Sequence, residues 1–337
     1  MTIGGNGEKK SETYNNIQSL ESKVMLHDIL VNPKEYEKHI QRYAASVVTS
    51  VSYGRRVETV DEWVVRENME AMDYLTSVNI PGKYIVESWP WLLRLPRSLQ
   101  WFRKEPEQRR QRDINFLMHI LNDVKSRMKA GTIPDCLTAQ CVDDLQKIGM
   151  TELELAYAVS TPFGAGIETT GTTLIVFILA MLHFPQVMKK AQQELDSVVG
   201  QQRLPEYSDK PNLPYINAIV NETLRWRPVA VLGGTPHAVT ADDIYNGCPP
   251  WFIKDPNPVP ARNSVFVNTA RLLWAFDIVP VKGAQGNDVL PDTFNFTNGF
   301  NSKPVSFECN FTPRNGNVSK LIENEWTEAK ASLNNWI

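Results

Sequence analysis

The sequence predicts a mainly α-helical fold that carries small β-sheets. Three observations lead there. From Tyr14 to about Gly200, apolar residues recur at helical spacing between proline starts and glycine stops. One helical run there is far longer than the rest. Only beyond Thr235 does the texture change, with Gly, Pro, Asn and Asp punctuating short β-branched runs.

Taken in order, residues 1–13 are rich in Gly, Lys and Asn and hold no apolar stretch of signal-peptide type, so they read as a disordered tail and the chain as cytoplasmic. Pro33, Pro106 and Pro185 sit where a fixed φ suits a first turn, while Gly131 and Gly200 follow last turns as C-terminal stops. Between Pro106 and Gly131, Ile114, Leu117, Met118, Leu121 and Val124 form one apolar stripe, with Arg109, Arg110 and Arg112 on the solvated face. That helix packs and has no chemistry of its own.

Thr151 and Glu154 have capping-box spacing, and the pattern behind them runs to Pro185, giving a rod of about 33 residues and on the order of 50 Å. Pro162 interrupts it, which predicts a kink or two shorter helices. Its most apolar part, Thr172 to Phe184, falls short of the roughly 20 residues a bilayer requires and reads as buried, so no transmembrane anchor is expected. Further helices are expected from Pro185 to Gly200, from Pro214 to before Pro228, and over Asn263 to Phe276, with strands at Ile278–Val281 and Val305–Cys309. The polar stretch from Asn315 to Ile337 reads as a loose tail with a weak helix.

Composition narrows the function. With 35 Lys+Arg against 38 Asp+Glu the net charge is -3, which gives no electrostatic reason to expect nucleic acid as a partner. Four cysteines, none paired at metal-ligand spacing, point to a reducing compartment and away from a disulfide framework. No His-Glu-x-x-His and no Gly-x-Ser-x-Gly occurs, which removes the common hydrolase signatures.

Two constellations remain. Phe163-Gly-Ala-Gly-Ile-Glu-Thr-Thr170 is an odd helix core, because each glycine costs about 0.8–1 kcal/mol relative to alanine. Small residues there let a flat partner approach the backbone, and Glu168, Thr169 and Thr170 would place an acid and hydroxyls beside it. The competing reading is close packing of two helices, with threonine bonding back to the preceding turn. The second constellation is Glu222-Thr-Leu-Arg225, whose charges share one helix face. Exposed pairs of this kind are frequent; a buried one would clamp the following loop to the core.

Ala165-Gly-Ile-Glu-Thr-Thr170 resembles the oxygen-binding helix of cytochrome P450 enzymes, and Glu222 to Arg225 resembles their Glu-x-x-Arg helix, in the same order. Gly234 to Tyr245 is similar to the strand that follows in fungal multi-substrate members. The resemblance covers about residues 14–315, an incomplete cytochrome P450 domain, with 316–337 as a C-terminal tail. It implies a haem (heme) cofactor with its iron, insertion of one oxygen atom from O2 into a small apolar organic substrate, electrons from NADPH-cytochrome P450 reductase, and residence at the endoplasmic reticulum membrane. It further implies that Thr169 organises a proton relay fed by Glu168, that Ala165 and Gly166 lie over the haem face near Thr170, that Glu222 and Arg225 are structural, and that His237 partners a haem propionate. For His237 a plain surface turn is the other reading.

The family's axial cysteine should stand in a Phe-x-x-Gly-x-Arg-x-Cys-x-Gly loop before the helix that begins near Ala261. Instead Gly247-Cys-Pro-Pro-Trp-Phe-Ile-Lys-Asp-Pro-Asn-Pro-Val-Pro260 runs straight into that helix. Cys248 is the one candidate metal ligand nearby, and it lacks the glycines and arginine that position a thiolate. The family's membrane anchor and Trp-x-x-x-Arg helix have no counterpart before Tyr14. A truncated monooxygenase fold, inactive in this form, is therefore expected; the alternative is a haem-free helical remnant acting only through protein interaction.

Overall fold

The structure is a computed structural model, which describes residues 14–80, 82–230, 259–298 and 301–333. His237 and Cys248 lie outside the described residues. The helices are α1 (Asn15–Val31), α2 (Tyr36–Tyr53), α3 (Trp63–Val78), α4 (Ile85–Ser88), α5 (Lys104–Ala130), α6 (Leu137–Asp143) and α7 (Leu145–Ile148). They continue with α8 (Glu152–His183), α9 (Pro185–Val198), α10 (Pro214–Trp226), α11 (Val259–Ala275) and, after the strands, α12 (Gly316–Leu333). Strands β1 (Phe276–Lys282), β2 (Asp288–Val289) and β3 (Cys309–Pro313) form one antiparallel sheet in the order β2-β1-β3.

The long helix is the axis of the fold. The Thr151 hydroxyl accepts from the Glu154 backbone N–H and the Glu154 carboxylate accepts from the Thr151 N–H, so two otherwise orphaned donors are satisfied at its start. Those backbone bonds also hold the Glu154 carboxyl below its usual range. α8 then runs unbroken for 32 residues through Pro162, the single-rod outcome of the two the sequence left open. Its second half, Gly171 to Leu182, is buried all round. That half packs among α1, α2, α9, α10 and α11, and the first half packs against α2, α3 and α5. Each fully buried Leu, Ile or Phe on such a rod contributes about 1.5–3 kcal/mol, so this helix organises most of the core.

The predicted punctuation is found where it was placed. Pro185 and Pro214 open α9 and α10, and Gly131 and Gly200 close α5 and α9 at φ 66° and 75°. The stripe of α5 is rotated from its expected line. Phe116 and Ile120 join Leu117, Leu121 and Val124 in the core, and Ile114 and Met118 move to its shoulder.

Two expectations fail. The second strand runs over Cys309–Pro313 and pairs in register with Phe276–Pro280, so Val305–Cys309 reaches it only at its last residue. The stretch from Asn315 is not a loose tail: α12 buries Val318, Ile322, Ala329 and Leu333, and lies along α1. Trp326 stacks on His27 at 4.1 Å, and Leu333 packs with Ile17 and Val24. The physical reason is that four apolar residues at i, i+4, i+11 and i+15 make a narrow stripe that pays off only when another helix covers it.

A buried charge network ties α1 to α2. The Glu21 carboxylate, fully buried, accepts from Arg42, Arg56 and the Ser46 hydroxyl. Such a cluster is tolerated because both carboxylate oxygens are hydrogen-bonded to charged or hydroxyl donors.

Candidate functional site

At the glycine-bearing turn of α8, Gly166 serves the packing of two helices. A Cβ on Gly166 would collide with Val48 Cγ1 and stand 3.5 Å from Val48 Cβ, so Gly166 is where α2 presses against α8. Gly166 therefore faces a packed helix, not an open face that could receive a flat ring. Thr169 Oγ1 donates to the Ala165 carbonyl at 2.7 Å, and Thr173 does the same to Thr169 at 2.8 Å, which is the back-bonding reading. Ala165 and Thr169, one turn apart, share the open side of the helix: Ala165 is exposed and Thr169 half-buried. Thr170 points the other way and is buried at 8% exposure.

Glu168 is half-buried and its Oε2 accepts from the Asn301 amide at 2.8 Å. Asn301 is buried and 133 residues away in sequence, a contact no local pattern could have announced. Beside Glu168 opens a cleft of 310 Å³ between α8, α3, the start of α2 and the segment from Thr297 to Ser306. Its floor carries Asn68 and Thr172, which sequence reasoning also missed. For Thr172 a signal existed, since it repeats the three-residue spacing from Thr169. Asn68 is 5% exposed and Thr172 2%, yet neither side chain has a hydrogen-bond partner among the described residues.

The Glu222–Arg225 pair takes the exposed form of the two that the sequence left open. Arg225 donates to both Glu222 oxygens, which holds the Glu222 carboxyl below its usual range, but the side chains are 60% and 70% exposed. Among the described residues the pair makes no contact beyond itself. The cause is helix geometry: Ile216, Ile219, Val220 and Thr223 occupy the buried face of α10, and Arg225 falls opposite them.

A haem-thiolate centre needs a thiolate facing Thr169. Among the described residues Cys136 and Cys309 are buried and Cys141 is half-buried. Cys136 and Cys141 belong to the α6 region beside α2 and α5, and Cys309 opens β3. Burial pushes the Cys309 thiol up to about 12, the opposite of what a metal-binding sulfur requires. No cluster of three His, Cys, Asp or Glu able to hold a metal occurs among the described residues. The residues described do not fit an axially ligated haem iron.

Among the described residues one helix, α8, is long and apolar enough by length and composition to cross a membrane, and it is mostly buried against its neighbours.

Comparison with known proteins places this architecture. The cytochrome P450 family model matches residues 5–254. Cytochrome P450 monooxygenase 58 of Postia placenta is 31% identical over 373 aligned residues, which cover 93% of this chain and 70% of that protein. Cytochrome P450 monooxygenase verL of Clonostachys rogersoniana is also 31% identical, over 95% of this chain and 70% of its own length. Both alignments are longer than the 337 residues available here, so these relatives carry segments with no counterpart in this chain. A zebra fish cytochrome P450 structure described with progesterone superposes with a TM-score of 0.65 at 21% identity, over 93% of this chain and 79% of that one. A long central helix, a mainly helical body with one small sheet, and a family match over most of its length have one explanation: this chain belongs to the cytochrome P450 family.

Proposed function

We propose that this chain is a monooxygenase-lineage scaffold that does not carry out oxygen insertion in the form given by its sequence. The family implies haem, an apolar substrate and a redox partner. When bound through sulfur, haem supplies the activation of dioxygen, and loss of the thiolate removes that chemistry instead of slowing it. The observation that carries the reading is internal to the chain. The residues from Gly247 to Pro260 lead into α11 without the Phe-x-x-Gly-x-Arg-x-Cys-x-Gly loop.

The described site supports the same reading. The Thr169 hydroxyl is committed to the Ala165 carbonyl, and the Glu168 carboxylate to Asn301. Gly166 is committed to Val48. The Thr169 bond closes within its own helix, the Glu168 bond ties α8 to Asn301, and Gly166 seats α2. The reading predicts that NADPH-cytochrome P450 reductase has no electron acceptor here and that no apolar substrate is hydroxylated. The test is whether sulfur can grip haem iron. Reduced, carbon-monoxide-treated protein loaded with haem should lack a thiolate-type Soret band, and appearance of that band would overturn the proposal.

A further inference from the structure

Among the described residues, the Asn-Gly step at Asn315-Gly316 opens an element, because α12 starts at Gly316. Nothing in the fold requires glycine there. Gly316 is exposed, its φ lies outside the left-handed region, and a Cβ added to it would meet no described atom within 4 Å. Glycine is also the poorest helix former after proline. What it does give position 316 is a backbone nitrogen that no side chain of its own shields.

The neighbouring amide is set up to be attacked by that nitrogen. Asn315 Oδ1 accepts from the Asn317 N–H at 3.0 Å and from the Val318 N–H at 3.1 Å. Two donors on one carbonyl oxygen draw electron density from Cγ and stabilise the negative charge that attack would place on that oxygen. The Gly316 N–H, between those residues in sequence, has no hydrogen-bond partner among the described residues and is open to water. Asn315 Nδ2 donates to Gln201 Oε1 at 3.1 Å on the surface, where it is free to leave into solvent. Asn317 supplies the contrast, since the residue after it is the β-branched and buried Val318, whose N–H is already bonded.

We propose that Asn315-Gly316 is a self-modification site, at which loss of ammonia and re-routing of the main chain undock α12 from α1. The Gly316 nitrogen attacks Asn315 Cγ, the new N–Cγ bond replaces the Cγ–Nδ2 bond, and Nδ2 leaves as ammonia with the Gly316 proton. Water then opens the cyclic imide at either carbonyl. One opening gives aspartate at position 315, and the other gives isoaspartate, whose main chain is longer by one methylene.

The two products differ in consequence. Aspartate still caps α12 and adds a negative charge at the helix N-terminus, which is favourable. Isoaspartate disrupts the cap, because the chain before it is fixed: the Arg314 N–H donates to the Ala275 carbonyl at 3.0 Å, and the Arg314 guanidinium donates to both Asp196 oxygens. The added methylene is therefore taken up on the α12 side, where Val318 is buried three residues on and Ile322, Ala329 and Leu333 continue the stripe. Those side chains and the Trp326–His27 stack hold α12 along α1. The proposal needs neither haem nor the monooxygenase reading.

The test is ageing of the full chain at neutral pH, followed by trypsin digestion and mass spectrometry of the peptide from Asn315 to Lys320. Conversion of amide to acid should appear at Asn315 as fast as in the free peptide or faster, and not at Asn317. Gly316→Ala adds its methyl into open space and should slow the conversion about tenfold or more. Chromatography separates the aged fractions, and labelling by an isoaspartyl methyltransferase identifies the isoaspartate one. Hydrogen exchange across α1 and α12 should be faster in that fraction than in the parent, and unchanged in Asn315→Asp. Slower conversion in the folded chain than in the free peptide, an equal rate in Gly316→Ala, parent-like exchange in the isoaspartate fraction, or equal loosening in Asn315→Asp would each overturn the proposal.

Discussion

Replacing Gly166 by alanine separates the two meanings of the glycine-bearing turn. In an exposed helix interior Gly→Ala gains about 1 kcal/mol. Here the new Cβ meets Val48 Cγ1, on a β-branched side chain that has one strongly preferred rotamer in a helix. Overpacking of this kind costs about 1–3 kcal/mol, so the net effect is a loss of up to about 2 kcal/mol. Removing the obstacle reverses the sign. In a Val48→Ala background the added methyl has space, and Gly166→Ala should then stabilise by up to about 1 kcal/mol. The coupling between the two substitutions is about 1–3 kcal/mol, well above what independent sites show. Urea titrations of the four proteins in the cycle, followed by circular dichroism, measure it. Gly166→Ala stabilising by the same amount in both backgrounds would refute the assignment of Gly166 to the contact between α2 and α8.

Two further outcomes follow from burial. Glu21→Ala strips the carboxylate from Arg42 and Arg56, which are both mostly buried, and should cost about 3–5 kcal/mol in a urea titration, whereas Glu21→Ala with little effect would mean the network is hydrated. Burial raises the Cys309 thiol and the Tyr43 hydroxyl each to about 12, from ordinary values of 9.0 and 10.0. Because the folded values lie above the unfolded ones, the stability they contribute is complete below pH about 9 and falls as pH rises toward about 12, which alkaline unfolding curves of the parent chain and Cys309→Ser would show.

Much of the fold was legible because local chemistry marks helix ends. The Thr151–Glu154 box, the prolines opening α9 and α10 and the glycines closing α5 and α9 each satisfy or terminate backbone groups within one turn, and the sequence carries them openly. The site was legible only as a list of residues. Which way Gly166 faces depends on Val48, 118 positions earlier, and the Glu168 partner Asn301 lies 133 positions later. Spacing within the motif contains neither fact. The exposure of Glu222 and Arg225 could have been read from the wheel of α10, where Ile216, Ile219 and Val220 already claim the opposite face. The docking of helix α12, expected only as a weak helix in a loose tail, escaped notice because its stripe is narrow and its remaining positions are polar, a pattern that only the neighbouring α1 makes worthwhile.

The central claim is that this cytochrome P450 fold offers haem iron no thiolate. The direct measurement is the difference spectrum of dithionite-reduced protein, purified with excess haem, before and after carbon monoxide, for the parent chain and for Cys248→Ser. The account predicts that both samples lack a thiolate-type Soret band. A band in the parent that disappears in Cys248→Ser would contradict it and would make Cys248 the axial ligand.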